Sequence, residues 1–212
     1  MGGTPTFFFI QAGLPTFISF KMTVGGLGIA SVGTIISWYL LSAFGRRTLY
    51  LWGLGLLAII LMTTGTISAV DATSVAGNYA QAAMMLLWLL IYYLTVGPIC
   101  YAIVGETSTT RLRNKSVCLA RIAYYIANIT CGTVNPYLLN STALNWKGKT
   151  AFFWAGTTLI FFLWTFFRLP ECKGRTYEEL DVLFANKVKT REFKKFNVNV
   201  YAEDGETLVK QE

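Results

Sequence analysis

The 212-residue chain contains no histidine. Imidazole acid–base catalysis and imidazole metal ligation are therefore excluded. Charge is scarce as well: Asp, Glu, Lys and Arg make up 14% of residues, against about 25% in an average soluble domain. That deficit argues against an ordinary soluble enzyme, a disordered tail and a nucleic-acid-binding module. The four cysteines, Cys100, Cys118, Cys131 and Cys172, are widely spaced and form no CxxC pair. They supply neither a zinc site nor a disulfide framework. The start of the chain lacks the basic region and small-residue cleavage site of a signal peptide. No nucleophile–base pair, phosphate loop or cofactor motif is present, so the residues point away from an enzyme and imply no cofactor.

Apolar side chains dominate instead, at 54% of residues with a mean hydropathy of +0.48. A membrane-spanning helix needs about 20 mostly apolar residues. Five windows meet that test: 22–41, 49–69, 82–104, 117–139 and 150–169. The first three contain no charged residue. The fourth carries only Arg121, one turn inside its start, where it is expected to snorkel to the interface. The fifth has only Arg168, at its end. A soluble helix would show a polar face every 3.6 residues, and these windows are apolar all round. The expected organisation is the end of a truncated span and an external loop over 1–21, five spans over 22–169, and a cytoplasmic tail with a short amphipathic helix over 170–212.

The net charge is +7, and its placement predicts orientation. All of the 18 basic residues except Lys21, Lys147 and Lys149 fall in three regions. These are the first link with Arg46 and Arg47, the third link from Arg111 to Arg121, and the tail from Arg168. The positive-inside rule places these regions in the cytoplasm and Met1 outside. Five spans with an external start and no signal peptide insert awkwardly. Phe7–Gln11 reads as the last turns of a preceding sixth span, so the chain is expected to be a fragment whose N-terminal half-bundle is missing. The sequon Asn140-Ser141-Thr142 lies on a predicted external loop, which agrees with this topology.

Three motifs fall in order on the predicted cytoplasmic side. Gly45-Arg46-Arg47-Thr48-Leu49 follows the first span. Gly105-Glu106-Thr107 through Arg111-Leu112-Arg113 follows the third. Pro170-Glu171-Cys172-Lys173-Gly174-Arg175-Thr176, continuing to Leu180, follows the last. Together they resemble the C-terminal half of the sugar porter family of the major facilitator superfamily, with the nearest likeness to fungal alpha-glucoside and maltose permeases and hexose transporters. The resemblance covers the chain from the Phe7 stub to about Phe196. It implies an all-α membrane protein, here the C-terminal six-helix bundle of a major facilitator fold with five complete spans and a stub. It also implies multi-pass residence, at the plasma membrane, and sugar transport by alternating access. A non-transporting sugar sensor on the same fold is the alternative reading.

Arg46, Arg47, Glu106, Arg113 and Glu171 sit at predicted cytoplasmic ends of different spans. Opposite charges there are expected to form a weak, breakable latch between bundles, as the family pattern supports. Thr176 and Glu179 have capping-box spacing, and Tyr177, Leu180, Phe184 and Val188 follow at near-helical intervals, which predicts a short amphipathic helix.

Sugars are neutral polyols whose sites need hydrogen-bonding side chains and flat aromatic faces. The third span offers Tyr92, Tyr93, Gly97, Pro98 and Tyr101, and Gly97 with Pro98 is expected to break the helix at mid-depth. Gly97-Pro98-Ile99-Cys100-Tyr101 resembles the family's GP-x-PW segment, with Tyr101 in place of its cavity-lining Trp and Cys100 in place of the second Pro. Tyr93 stands where many hexose porters carry Glu. The fourth span offers Tyr124, Tyr125 and Asn128, near positions where the family places a polar and an aromatic sugar contact. Asn135-Pro136 predicts a kink at the outer gate, and Trp146 and Trp154 an external aromatic belt. Gly25 to Gly28 predicts close helix packing.

The family's Gln-Gln-x-x-Gly-x-Asn motif is absent, and Gln11 does not replace it. Glycines and Ala30 occupy a stretch where hexose porters often carry Asn. No Asp or Glu lies inside the five windows. A proton-coupled porter needs a buried titratable group, so either proton symport draws it from the missing half or the protein is a facilitator.

Overall fold

The structure is a computed structural model. It describes residues 6, 9–10, 15–70, 75–108, 112–139, 146, 149–171, 173–186, 188, 193, 196–198 and 208–210. Phe7, Phe8, Gln11, Arg111, the Asn140 sequon and Cys172 lie outside the described residues.

Among the described residues, five helical segments are long and apolar enough to cross a membrane. They comprise α1 (Thr16–Ala43), α2 (Arg46–Val70), the pair α3 (Val75–Leu94) and α4 (Val96–Thr107), α5 (Arg113–Leu139) and α6 (Thr150–Arg168). A short helix, α7 (Tyr177–Ala185), follows, and a two-stranded antiparallel ribbon joins β1 (Phe196–Val198) to β2 (Leu208–Lys210). The helices run past the apolar windows, so that Lys21 falls within α1 and Glu106 within the last turn of α4.

Small side chains decide how the helices meet. The buried residues of α1 are Ser19, Gly26, Ala30, Gly33 and Ser37, one face at helical spacing. This stripe lets α3 approach: Gly26 faces Leu86 and Leu89, and Gly33 faces Leu90 and Leu94. The packing glycines are thus Gly26 and Gly33. Gly25 and Gly28, expected to share that role, meet nothing within 4 Å, because they lie on the opposite side of the helix. In α2, a β-carbon at Gly65 would press into the Phe152 ring of α6, and one at Gly53 would lie 2.7 Å from the β-carbon of Thr95.

Trp88 packs against three separate apolar clusters. One holds Phe9, Ala82, Met85 and Leu139, another Leu54, Leu57 and Val96, and the third Leu61, Ala151 and Ala155.

The third span breaks at Thr95, whose backbone leaves the helical range (φ −122°, ψ −80°). Pro98 is the cause. It has no N–H to offer the Leu94 carbonyl, and its ring crowds that carbonyl. The Thr95 amide keeps the ordinary helical bond to Ile91 O at 3.0 Å, and its hydroxyl donates to the same carbonyl at 2.7 Å.

Beyond α6, the Thr176 hydroxyl accepts from the Glu179 amide at 3.3 Å and caps α7. The inner face of α7, Leu180 and Leu183, is buried against Phe193.

Candidate functional site

Two arrangements carry the chemistry: a charge cluster at the end of the bundle that bears the tail, and a tyrosine-walled cavity beside the helix break.

In the charge cluster, Arg46 Nε and Nη2 donate to Glu106 Oε1 at 3.2 and 3.0 Å. The Arg46 backbone N–H donates to Glu171 Oε1 at 3.0 Å. Glu171 therefore lies at the positive end of the α2 dipole, where a carboxylate is favoured. Gly45 makes the approach possible, since a β-carbon there would sit 2.9 Å from the Glu171 carboxyl carbon. Two residues on, Lys173 Nζ donates to Ala43 O at 2.7 Å and so covers the negative end of α1. One tail loop caps both sides of the α1–α2 turn.

Of the five residues expected in this cluster, the structure ties together Arg46, Glu106 and Glu171. Arg47 and Arg113 take carbonyls instead. Arg47 Nη2 donates to Phe166 O at 2.9 Å. Arg113 donates twice to Gly105 O, at 3.3 and 3.1 Å, and its guanidinium lies 4.4 Å from the Tyr177 ring centroid. Glu106 Oε2 and Arg47 Nε are buried without a hydrogen-bond partner.

The cavity, about 360 Å³, opens between α2, α4 and α5. Its polar wall comprises Tyr50, Tyr92, Tyr101, Tyr124, Cys100 and Arg121, and its apolar wall includes Val96, Val104 and Val117. Among the expected sugar contacts, Gly97, Tyr101 and Tyr124 line this space. Pro98 shapes it through the break. Tyr93 points elsewhere, into a smaller gap with Phe9, Met22 and Gly26. Tyr125 and Asn128 belong to a stretch of α5, Arg121–Thr130, that is exposed throughout, and they do not line the cavity. Tyr92 is held from behind by Trp88, whose ring stacks on it at 5.3 Å and 8°.

Two lining residues escape a reading of the sequence. Tyr50 sits near the start of α2 without any motif to mark it. Arg121, expected to snorkel outward, instead lies with its guanidinium 4.6 Å from the Tyr101 ring centroid. An arginine one face-turn from an aromatic on a neighbouring helix is attracted to the ring, and sequence spacing does not disclose which helix is the neighbour. At the other end of α5, Trp154 Nε1 donates to Asn135 Oδ1 at 3.3 Å, beside Pro136.

Tyrosine hydroxyls and ring faces around a cavity suit a neutral polyol, which presents hydroxyls at its rim and C–H groups on its faces. Among the described residues, no group of three His, Cys, Asp or Glu is placed to hold a metal ion.

A family profile described as "Sugar (and other) transporter" matches residues 4–184. A maltose permease of Saccharomyces cerevisiae is 32% identical over 200 residues, covering 94% of this chain and 32% of the permease. An alpha-glucosides permease of the same species is 31% identical over 200 residues, covering 94% of this chain and 33% of its own. This chain thus spans about a third of the length of these relatives. Among solved structures, the inward-open xylose transporter XylE from E. coli superposes with a TM-score of 0.68 at 21% identity, over 84% of this chain and 40% of that one. A double Trp mutant of XylE gives a TM-score of 0.74 at 23% identity, over 85% and 38%.

Proposed function

The chain belongs to the sugar (and other) transporter family, and on that premise we propose that its helices form the C-terminal bundle of a transmembrane sugar carrier. The carrier works by alternating access, in which two bundles rock about a site between them. The tyrosine-walled cavity beside the broken third span is the observation that carries this reading, because broken helices in transporters line substrate paths. The substrate is an alpha-glucoside or a hexose, as the names of the relatives suggest. The protein resides in the plasma membrane with its tail in the cytoplasm, the orientation favoured by its basic loops.

In this reading Tyr101 and Tyr124 contact the sugar and Gly97 and Pro98 shape its path, while Tyr93, in the gap beside α1, and Tyr125 and Asn128, on the exposed face of α5, lie off this cavity. The second bundle supplies the remaining wall. If sugar entry is coupled to protons, that bundle also supplies the carboxylate, since the spans here hold none deeper than Glu106. The Arg46–Glu106–Glu171 cluster, with Arg47 and Arg113 at its margin, latches one state. The unpartnered Glu106 Oε2 and Arg47 Nε leave it room for a further contact. Such a latch is worth about 1–3 kcal/mol when partly shielded, which matches the few kcal/mol separating the states of a switch.

The test is binding of labelled maltose to the purified chain in lipid nanodiscs, by equilibrium dialysis. Saturable binding that Tyr124→Ala weakens supports the reading; no binding, or binding indifferent to Tyr124→Ala, sinks it. Carrier-deficient yeast making only residues 1–212 is expected to show background maltose uptake. Uptake above background contradicts the assignment to one bundle.

A further inference from the structure

We propose that Arg121 is a positioning residue for the sugar site: it holds the Tyr101 ring as the platform on which the sugar rests. The inference rests on the sugar-carrier reading and concerns a residue outside the expected contacts.

Three observations lead to it. The first is contact, since the Arg121 guanidinium lies 4.6 Å from the Tyr101 ring centroid and both side chains line the same cavity. The second is that Tyr101 has little else to hold it. It is 49% exposed, whereas Tyr92, across the cavity, is backed by the stacked indole of Trp88. A ring that must meet one face of a sugar loses affinity if it is free to swing, because ordering it on binding costs free energy. Stacking by a planar cation fixes ring orientation while leaving the opposite face open.

The third is the attachment of α5. Arg121–Thr130 is exposed throughout, so α5 is not set against α4 by apolar packing there. Two arginines two turns apart reach across instead: Arg113 to the Gly105 carbonyl and Arg121 to the Tyr101 ring. Gly105 and Tyr101 are themselves one turn apart on α4. The Arg121 contact therefore holds the ring and also sets how far α5 stands from it, which places Tyr124 on the cavity wall.

The stack can be read apart from sugar binding. Tyr101 is replaced with 3-fluorotyrosine in the full chain in nanodiscs, and its fluorine resonance is recorded for wild type, Arg121→Lys and Arg121→Gln. Maltose binding is measured on the same samples. The expected result is a shifted and broadened Tyr101 signal in both variants, with a loss of affinity of about tenfold for Arg121→Gln, the scale of a partly desolvated cation–π contact. Arg121→Lys keeps the charge but not the planar, delocalised cation, so its affinity is expected to fall between wild type and Arg121→Gln. Adding Tyr101→Leu to Arg121→Gln should cost less than Tyr101→Leu costs in wild type, because the platform is already lost.

Unchanged fluorine signals overturn the proposal, as do losses that add independently in the double variant; in both cases the sugar-carrier reading stands. Failure of the wild-type chain to bind maltose overturns the sugar-carrier reading and this proposal with it.

Discussion

Helices α2 and α5 are similar in length, and both read as apolar spans, yet the bundle treats them differently. α2 is enclosed: Gly53, Leu54, Leu57, Ala58, Leu61 and Gly65 are all buried, with α6 on one side and the broken third span on another. α5 is held at its ends. Arg113 and Arg121 anchor one end, while Leu138, Leu139 and the Asn135–Trp154 hydrogen bond anchor the other. Between them its hydroxyls turn back on their own helix, Thr130 to Ile126 O and Thr133 to Ile129 O. Apolarity makes a span; glycine placed against a bulky partner makes a buried span, and α5 lacks that pairing.

The sharpest way to break this contrast is one substitution made in both helices. Gly53→Ala drives a β-carbon into Thr95 and is expected to cost about 2–3 kcal/mol by overpacking. Gly132→Ala in α5 meets nothing within 4 Å and is expected to stabilise by about 0.5 kcal/mol, the ordinary gain of alanine over glycine in a helix. Unfolding midpoints in a detergent series measure both, and equal losses would erase the distinction.

A smaller effect comes from the start of α2. Arg46→Ala leaves Glu106, whose side chain is 25% exposed, without its charged donor. A loss of about 2 kcal/mol is expected, with Arg46→Lys recovering part of it. The smallest loss comes from the far anchor of α5. Trp154→Phe keeps the packing but removes the hydrogen bond to Asn135. About 1 kcal/mol is expected, seen as faster hydrogen exchange confined to the last turns of α5. Faster exchange spread over α2 as well would show that the two helices open together.

Much of this architecture is legible in the sequence, for separate physical reasons. An apolar run of about 20 residues has few alternatives to a membrane helix. The Pro98 break follows from a missing N–H, and the Thr176 cap from Thr-x-x-Glu spacing. The cavity is only partly legible. Gly97, Tyr101 and Tyr124 stand out as polar or helix-breaking residues in apolar spans. Tyr50 does not, and Arg121 stands out only as a charge, because an all-round apolar window carries no signal for the face that meets a neighbour. The same limit explains why Gly26 and Gly33, rather than Gly25 and Gly28, take up the packing: rotation of α1 about its axis is fixed by α3, not by α1.

The loop that caps the α1–α2 turn has a consequence in time. Glu171 follows Arg46 by 125 residues, and at about 5–20 residues per second a ribosome needs roughly ten seconds to cover that distance. Until Glu171 and Lys173 are made, the amide of Arg46 and the carbonyl of Ala43 lack these two partners. The turn is sealed by a segment made after α6, so the contact that ties α1 to α2 is completed only once these six helices have been made.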